Sequence, residues 1–223
     1  MAATDNKPKA SRPRDAASLV IHRKRGGHHE VLMGRRGKAA RFKPGIYVFP
    51  GGGLERADYR ARPLRPLPEE VPPQLAVASN PKRANALAMA AVREAYEEAG
   101  LIYGDHGDVG RVNHPTWRSF AEQGLAPDLS ALDYLGRAVT PSYRPLRYHA
   151  RFFAIPYERV SGQLGGDGEL EDLKWVRLER YEGVEMMEVQ EMMLETLGRR
   201  LRGHDAPAQK MIFNWGRIAK FDT

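Results

Sequence analysis

Between Arg93 and Leu101 the chain reads R-E-A-Y-E-E-A-G-L and gathers three carboxylates, Glu94, Glu97 and Glu98, within little more than one helical turn. At about 100° per residue these positions fall on one narrow arc of a helix. Like charges at that spacing repel by about 0.2–0.5 kcal/mol per pair in water. A wet helix face carries that penalty easily, whereas a divalent cation turns the repulsion into binding. Hard oxygen ligands suit Mg²⁺ or Mn²⁺, ions that share their coordination sphere among carboxylates, waters and substrate phosphates. With such ions bound, the acids can grip a pyrophosphate, stabilise developing charge and activate a water. Met89, Val92 and Tyr96 fall on the opposite side of the same wheel and would pack on a sheet. Alanines at 84, 86, 88, 90, 91, 95 and 99 would let neighbouring backbones approach closely.

The pattern predicts the elements that hold this face. From Ala16, AASLVIHR, a Gly-Gly-His-His turn and EVLMGRR predict a β-hairpin. Ile46 to Phe49 is a short apolar strand stopped by Pro50 and the triplet Gly51-Gly52-Gly53. The prolines and charges of residues 55–82 predict a surface excursion with at most one short helix. A helix is predicted from about Arg83 to Ala99, with Asn80-Pro81 at its start and Gly100 at its end. A short amphipathic helix follows over Thr116 to Ala126, then strands over Leu132–Val139, Tyr148–Ile155 and Leu173–Leu178. A last amphipathic helix is predicted from Val184 to Leu201, its methionines spaced for core packing. The interleaving of helices and strands argues for one α/β sandwich domain.

Bulk properties narrow the chemistry. The 223 residues are 42% apolar, enough for a substantial core, and carry 35 Lys plus Arg against 28 Asp plus Glu. The resulting +7 charge favours anionic ligands, whether nucleotides, nucleic acid or acidic lipid headgroups, and charge alone does not choose among them. No cysteine is present, which excludes thiol nucleophiles and thiolate metal sites and fits a reducing compartment, here read as the cytoplasm. No apolar run approaches the roughly 20 residues that span a bilayer, so no membrane partner is expected. Residues 1–15 read as a disordered basic tail without the apolar stretch of a signal peptide. The adjacent His28-His29 reads as a polar turn.

The run Val48-Phe49-Pro50-Gly51-Gly52, followed by a helix bearing Arg93-Glu94-x-x-Glu97-Glu98-x-Gly100-Leu101, resembles the signature of the Nudix hydrolase family. EDLKWVRLER is similar to the family's late strand, so the resemblance extends from about Ala16 to Arg180. It implies a Nudix fold, an α/β/α sandwich with a mixed sheet, in one domain over 16–223 interrupted at about 56–82. It implies Glu94, Glu97 and Glu98 as ligands of Mg²⁺ or Mn²⁺, with Arg93 orienting them and Glu97 central to catalysis. A general base in this family often comes from a loop outside the signature helix. GGDGELED offers Asp167, Glu169, Glu171 and Asp172, of which Glu169 sits best before the late strand. Gly51, Gly52 and Gly53 would approach the helix or ligand closely. Arg35 and Arg36 are the leading candidates for phosphate contacts, beside Arg41, Arg144 and Arg147.

The chain departs from the compact signature at one place. Forty positions separate Gly53 from Arg93, and Asn85 stands where the family has a further glutamate. Either another acid from the inserted stretch, such as Glu55 or Asp58, replaces it, or the role is dispensable. The insertion, together with GGGLERAD and VTPSYRPLRYHARFF, resembles the subgroup that includes coenzyme A diphosphatases. The resemblance implies hydrolysis of a pyrophosphate in a nucleoside diphosphate linked to coenzyme A-, ADP-ribose- or NADH-type groups. An RNA 5′-end or damaged-nucleotide pyrophosphohydrolase and a non-catalytic nucleotide-binding module are the alternatives, and a homodimer is possible.

Overall fold

The computed structural model describes residues 11–38, 43–78, 80–214 and 217–222. The first ten residues of the expected tail, and Arg41, lie outside that range; Arg14 and Asp15 already belong to the first strand. β1 (Arg14–Arg25) turns into β2 (His28–Arg36) through Gly26 and Gly27. Both glycines have positive φ, 56° and 81°, the geometry a two-residue hairpin turn demands. β3 (Tyr47–Val48) pairs with β2 and β4 (Gly51–Gly53) with β1. Helix α1 (Pro81–Ala99) then crosses the sheet. Three short strands, β5 (Leu101–Tyr103), β6 (Asp105–His106) and β7 (Leu125–Ala126), flank helix α2 (Pro115–Glu122). The chain continues through β8 (Asp133–Val139), β9 (Tyr148–Pro156), β10 (Val160–Gly162) and β11 (Leu170–Arg177). It closes with helix α3 (Glu188–Leu201) and the hairpin β12 (Gln209–Asn214) and β13 (Arg217–Asp222).

The main sheet runs β11-β2-β1-β9-β8-β12-β13. It is mixed, because β1 pairs with β9, and β8 with β12, in parallel while its other pairs are antiparallel. Alternation along β1 divides the core. Ala17, Leu19 and Ile21 face α1, while Val20 joins Met193 and Leu197 of α3 on the other side. This is the expected α/β/α sandwich. No helix among the described residues is long and apolar enough to cross a membrane.

Five local expectations change, each for a tertiary reason. The glycine triplet, expected to stop the strand, itself forms β4 because β1 offers it an edge. The carboxylate face of α1 does not simply look outward. Arg93 and Glu98 are 1% and 2% exposed, because the helix is enclosed by the sheet, α2 and the inserted segment. Among its described residues that segment has one 3-10 turn, Pro72–Leu75, yet Leu67, Leu75 and Val77 are buried in the α1 core. Proline excluded regular structure there without excluding burial. Residues 184–187 are not helical: Tyr47 N donates to Glu185 O at 2.7 Å and Tyr47 bridges Met186, so β3 draws them into extended chain. Met192 and Met193 are core, as expected, while Met186 and Met187 border a cleft. The late strand begins at Leu170 and carries a bulge between Glu171 and Lys174.

Candidate active site

Asn80 accepts from Arg83 N at 3.1 Å, Pro81 starts the helix without a missing bond, and Gly100 ends it. Those caps fix the rotation of α1 and hence the direction of its acids. Arg93, near its centre, uses all five guanidinium donors. Its Nε and Nη2 reach Asp58 at 2.9 and 3.2 Å, and Nη2 also reaches Gly53 O at 2.7 Å. Its Nη1 donates to Glu94 Oε1 at 2.8 Å and Glu97 Oε2 at 2.9 Å. Burial opposes the charge on Arg93, but Asp58, Glu94 and Glu97 more than offset it and hold the guanidinium protonated.

Asp58 is the acid that the insertion supplies. It is 1% exposed and also accepts from Glu55 N at 2.9 Å and Trp117 Nε1 at 3.3 Å. It binds the arginine and does not reach the cleft. Asn85 plays another part, since its Oδ1 accepts from Leu67 N at 3.0 Å and pins the insertion to α1. Glu55, 52% exposed, faces His114 at 3.5 Å. Sequence reasoning left Asp58 as one of two options and missed Thr116, whose hydroxyl donates to Glu97 Oε1. Nothing in the local pattern singles out a threonine that becomes important only through α2–α1 packing.

Gly51 and Gly52 work by closeness, not by unusual dihedrals, since none of the three glycines has a positive φ; a Cβ on Gly53 would meet nothing within 4 Å, against expectation. A Cβ on Gly51 would lie 2.1 Å from Ser18 Oγ, and one on Gly52 would lie 2.4 Å from Glu94 Oε1. Gly51 N donates to Glu98 Oε2 at 2.7 Å, while Gly53 offers its carbonyl to Arg93.

Glu169 arrives from the other side. Its loop is strapped to the end of α1 by Gly165 N to Ala99 O at 3.1 Å and Asp167 N to Glu97 O at 2.9 Å. Gly166 passes so close that a Cβ there would sit 2.3 Å from Glu98 O. The strap brings Glu169 near enough to Glu98 for their charges to interact. Burial, then repulsion from Glu94 and Glu169, pushes the Glu98 carboxyl up to about 9 against the pull of Gly51 N–H. Burial likewise raises Glu94 to about 7, with Arg93 opposing and Glu97 adding to the rise.

Glu94 and Glu169 open on a cleft of about 630 Å³. Glu94, Glu169 and Arg36 line one end; Ala138, Ala150 and Phe152 of the sheet form an apolar floor. Tyr143 and Arg144 stand on the far wall with the start of α3. Glu97 and Glu98 are not part of the lining: Glu98 lies behind Gly51, and Glu97 is held by Arg93 and Thr116. Arg35 is not there either. Strand alternation separates it from Arg36, and its guanidinium lies 3.5 Å from Glu171. Arg147 hydrogen bonds to backbone carbonyls of Ser11 and Thr140 instead. Asp172 accepts from Tyr47 Oη and sits at positive φ in the bulge of β11. Among the described residues, no three His, Asp or Glu side chains form a preassembled metal cage. The donor chemistry nevertheless fits a hard dication, because Glu94 and Glu169 both act against charge on Glu98 and all three offer only oxygen.

A buried carboxyl of this kind has a stability consequence. The raised Glu98 contributes fully below its unfolded value of 4.5, and that contribution is lost as pH rises toward about 9. Metal-free Glu98→Gln keeps an acceptor for Gly51 N and removes the ionisation. Its melting temperature at pH 8 is expected to exceed the parent's by about 5–10 °C, with the gap closing near pH 5. Coincident melting curves across that range would exclude a buried charge at Glu98.

The NUDIX domain family profile matches residues 12–195. A Caenorhabditis elegans protein named as a candidate nudix hydrolase 7 is 26% identical over 154 residues, covering 64% of this chain and 44% of that protein. The chain therefore spans less than half the length of that relative. The crystal structure of a NUDIX hydrolase from Alicyclobacillus acidocaldarius superposes with a TM-score of 0.58 at 28% identity, covering 86% of this chain and 85% of that one. A MutT protein from Bacillus halodurans matches with a TM-score of 0.50 at 10% identity, over 93% and 96% of the two chains, a likeness of fold alone.

Proposed function

We propose that this chain, which belongs to the NUDIX domain family, is a divalent-metal-dependent pyrophosphohydrolase acting on a nucleoside diphosphate linked to a second group. The observation that carries the reading is the five-donor Arg93 node, which fixes Glu94 beside Gly52 at one end of a cleft that Glu169 also borders. A structural ion pair would not need to hold two further acids and a glycine carbonyl.

Of the expected ligands Glu94, Glu97 and Glu98, Glu94 is the one that borders the cleft and would hold Mg²⁺ or Mn²⁺ there, with Glu98 behind Gly51 as the nearest further carboxyl; a bound ion would draw charge from the phosphate oxygens and acidify a water. Glu169 takes the proton as the water oxygen bonds to phosphorus and the bridging P–O bond breaks, leaving two phosphorylated products. Arg36 and Lys43 line the cleft where their cations can hold phosphate oxygens, with Arg144 on the opposite wall. A volume of about 630 Å³ suits a substrate with groups on both sides of the diphosphate, of the coenzyme A, ADP-ribose or NADH type. The absence of cysteine among 223 residues favours a reducing compartment such as the cytoplasm.

The test is a substrate panel with Mg²⁺ and with Mn²⁺, its products identified by mass. It should include those three compounds, dinucleoside polyphosphates, oxidised nucleotides and 5′-triphosphorylated RNA. Cleavage of a linked nucleoside diphosphate is expected, and Glu169→Gln should lower kcat by about 10²–10⁴-fold with little change in KM. A folded wild type that binds nucleotides but is inert across the panel with both metals would leave a binding module as the reading. Preferential attack on RNA would shift the substrate class.

A further inference from the structure

We infer that a second anion site, taking a phosphate-type oxyanion, lies on the sheet face turned away from the cleft and is built by Arg83, Arg137 and Arg151. Arg137 of β8 and Arg151 of β9 are direct cross-strand partners. Side-chain alternation places both on the α1 side, with Asp15 and His149, whereas Ala138 and Ala150 belong to the cleft floor. Like charges directly opposite each other in a sheet are destabilising unless something compensates them.

The compensation in the protein is incomplete. Arg151 is fully buried and gives Nη1 to Asp15 Oδ1 and His149 O, both at 2.6 Å, and Nε to Leu75 O at 3.0 Å. Arg83 takes the other oxygen of Asp15, through Nε at 2.9 Å. One carboxylate is thus shared by two guanidiniums. Arg137 has no carboxylate within ion-pair distance among the described residues; its Nη1 lies 3.3 Å from His149 Nε2. Burial, then Arg151 and Arg137, depress His149 to about 3, so the imidazole is a neutral acceptor and contributes no further cation.

Two donors remain over. Arg137 Nε and Arg151 Nη2 are both buried and neither has a hydrogen-bond partner. An unmet buried donor is costly. A water would satisfy the two N–H groups, but it would leave three guanidiniums facing one carboxylate. A tetrahedral oxyanion answers both needs, since guanidinium forks match its oxygens and its charge offsets the excess. Arg83, 42% exposed, is the member of the cluster that reaches solvent, while the two unmet donors lie beneath the surface.

The test uses the full chain, melted in rising inorganic phosphate against sodium chloride of matched ionic strength. At about five times the dissociation constant, phosphate should raise the melting temperature by about 2–4 °C. The rise should persist in the cleft variant Arg36→Gln and vanish in Arg137→Gln, which sheds a repulsion and should fold at least as well as wild type. Arg83→Gln, at a half-exposed position, should weaken it as an independent check. Adenosine monophosphate distinguishes a nucleotide phosphate from free phosphate: a larger rise than with orthophosphate, also lost in Arg137→Gln, supports the site with a nucleotide as its source. No rise beyond matched chloride, or a rise that survives Arg137→Gln and disappears in Arg36→Gln, would overturn the inference.

Discussion

Glu94→Gln is expected to reduce kcat by about 10²–10³-fold or more while the protein remains folded. Glu94 borders the cleft, and its Oε1 already accepts from Arg93 at 2.8 Å. An amide of the same shape keeps that bond and loses only the charge needed for a cation. The carboxyl is raised to about 7 by burial, so neutralising it should leave the melting temperature of the metal-free protein unchanged or slightly higher. Loss of turnover without loss of stability then separates chemistry from folding. Glu97→Gln makes the sharper comparison. Its side chain is held by Arg93 and Thr116 outside the lining, which predicts a drop of only about 10–100-fold, the range for groups that orient ligands. A loss as deep as that of Glu94→Gln would mean that Glu97 leaves Arg93 to join the ion.

The second large effect is on stability. Asp58→Ala removes the bidentate partner of a guanidinium that is 1% exposed. Breaking a buried ion pair from one side costs about 3–5 kcal/mol, because the remaining charge is stranded. For a chain of this size the melting temperature should fall by on the order of 10 °C. Turnover should fall as well, since Arg93 loses the anchor that aims it at Glu94 and Glu97. Asp58→Asn retains shape and one acceptor and should lie between the two. Thermal melts read beside kcat decide the matter; a melt unchanged in Asp58→Ala would mean that Arg93 is anchored elsewhere.

The signature helix and the strand before it were legible because periodicity, caps and glycines act over short spans. Asn80, Pro81 and Gly100 mark α1 within two residues of the expected bounds. The paired strands β8 and β9 emerge from their apolar runs for the same reason. What escaped depends on contacts between distant segments. Arg35 and Arg36 are equivalent as letters, yet alternation on a strand whose register the neighbours set sends them to different surroundings. Residues 184–187 have a helical pattern and are claimed by Tyr47 across the fold. Asp58 is separated from Arg93 by 35 positions, and only the fold of the insertion brings them together. Asn85 looked like a lost acid and is the clasp that makes that meeting possible.

The strap that ties residues 165–167 to the last turn of α1 has a mechanical consequence. It couples the loop that bears Glu169 directly to the helix that bears Glu94 and Glu98, so these three acids share one side of the cleft. Any adaptation to substrates of different girth falls to the opposing side, residues 140–147 and the approach to α3, which carries none of these acids. Preference for one leaving group over another can thus drift on that side without retuning the hydrolytic machinery.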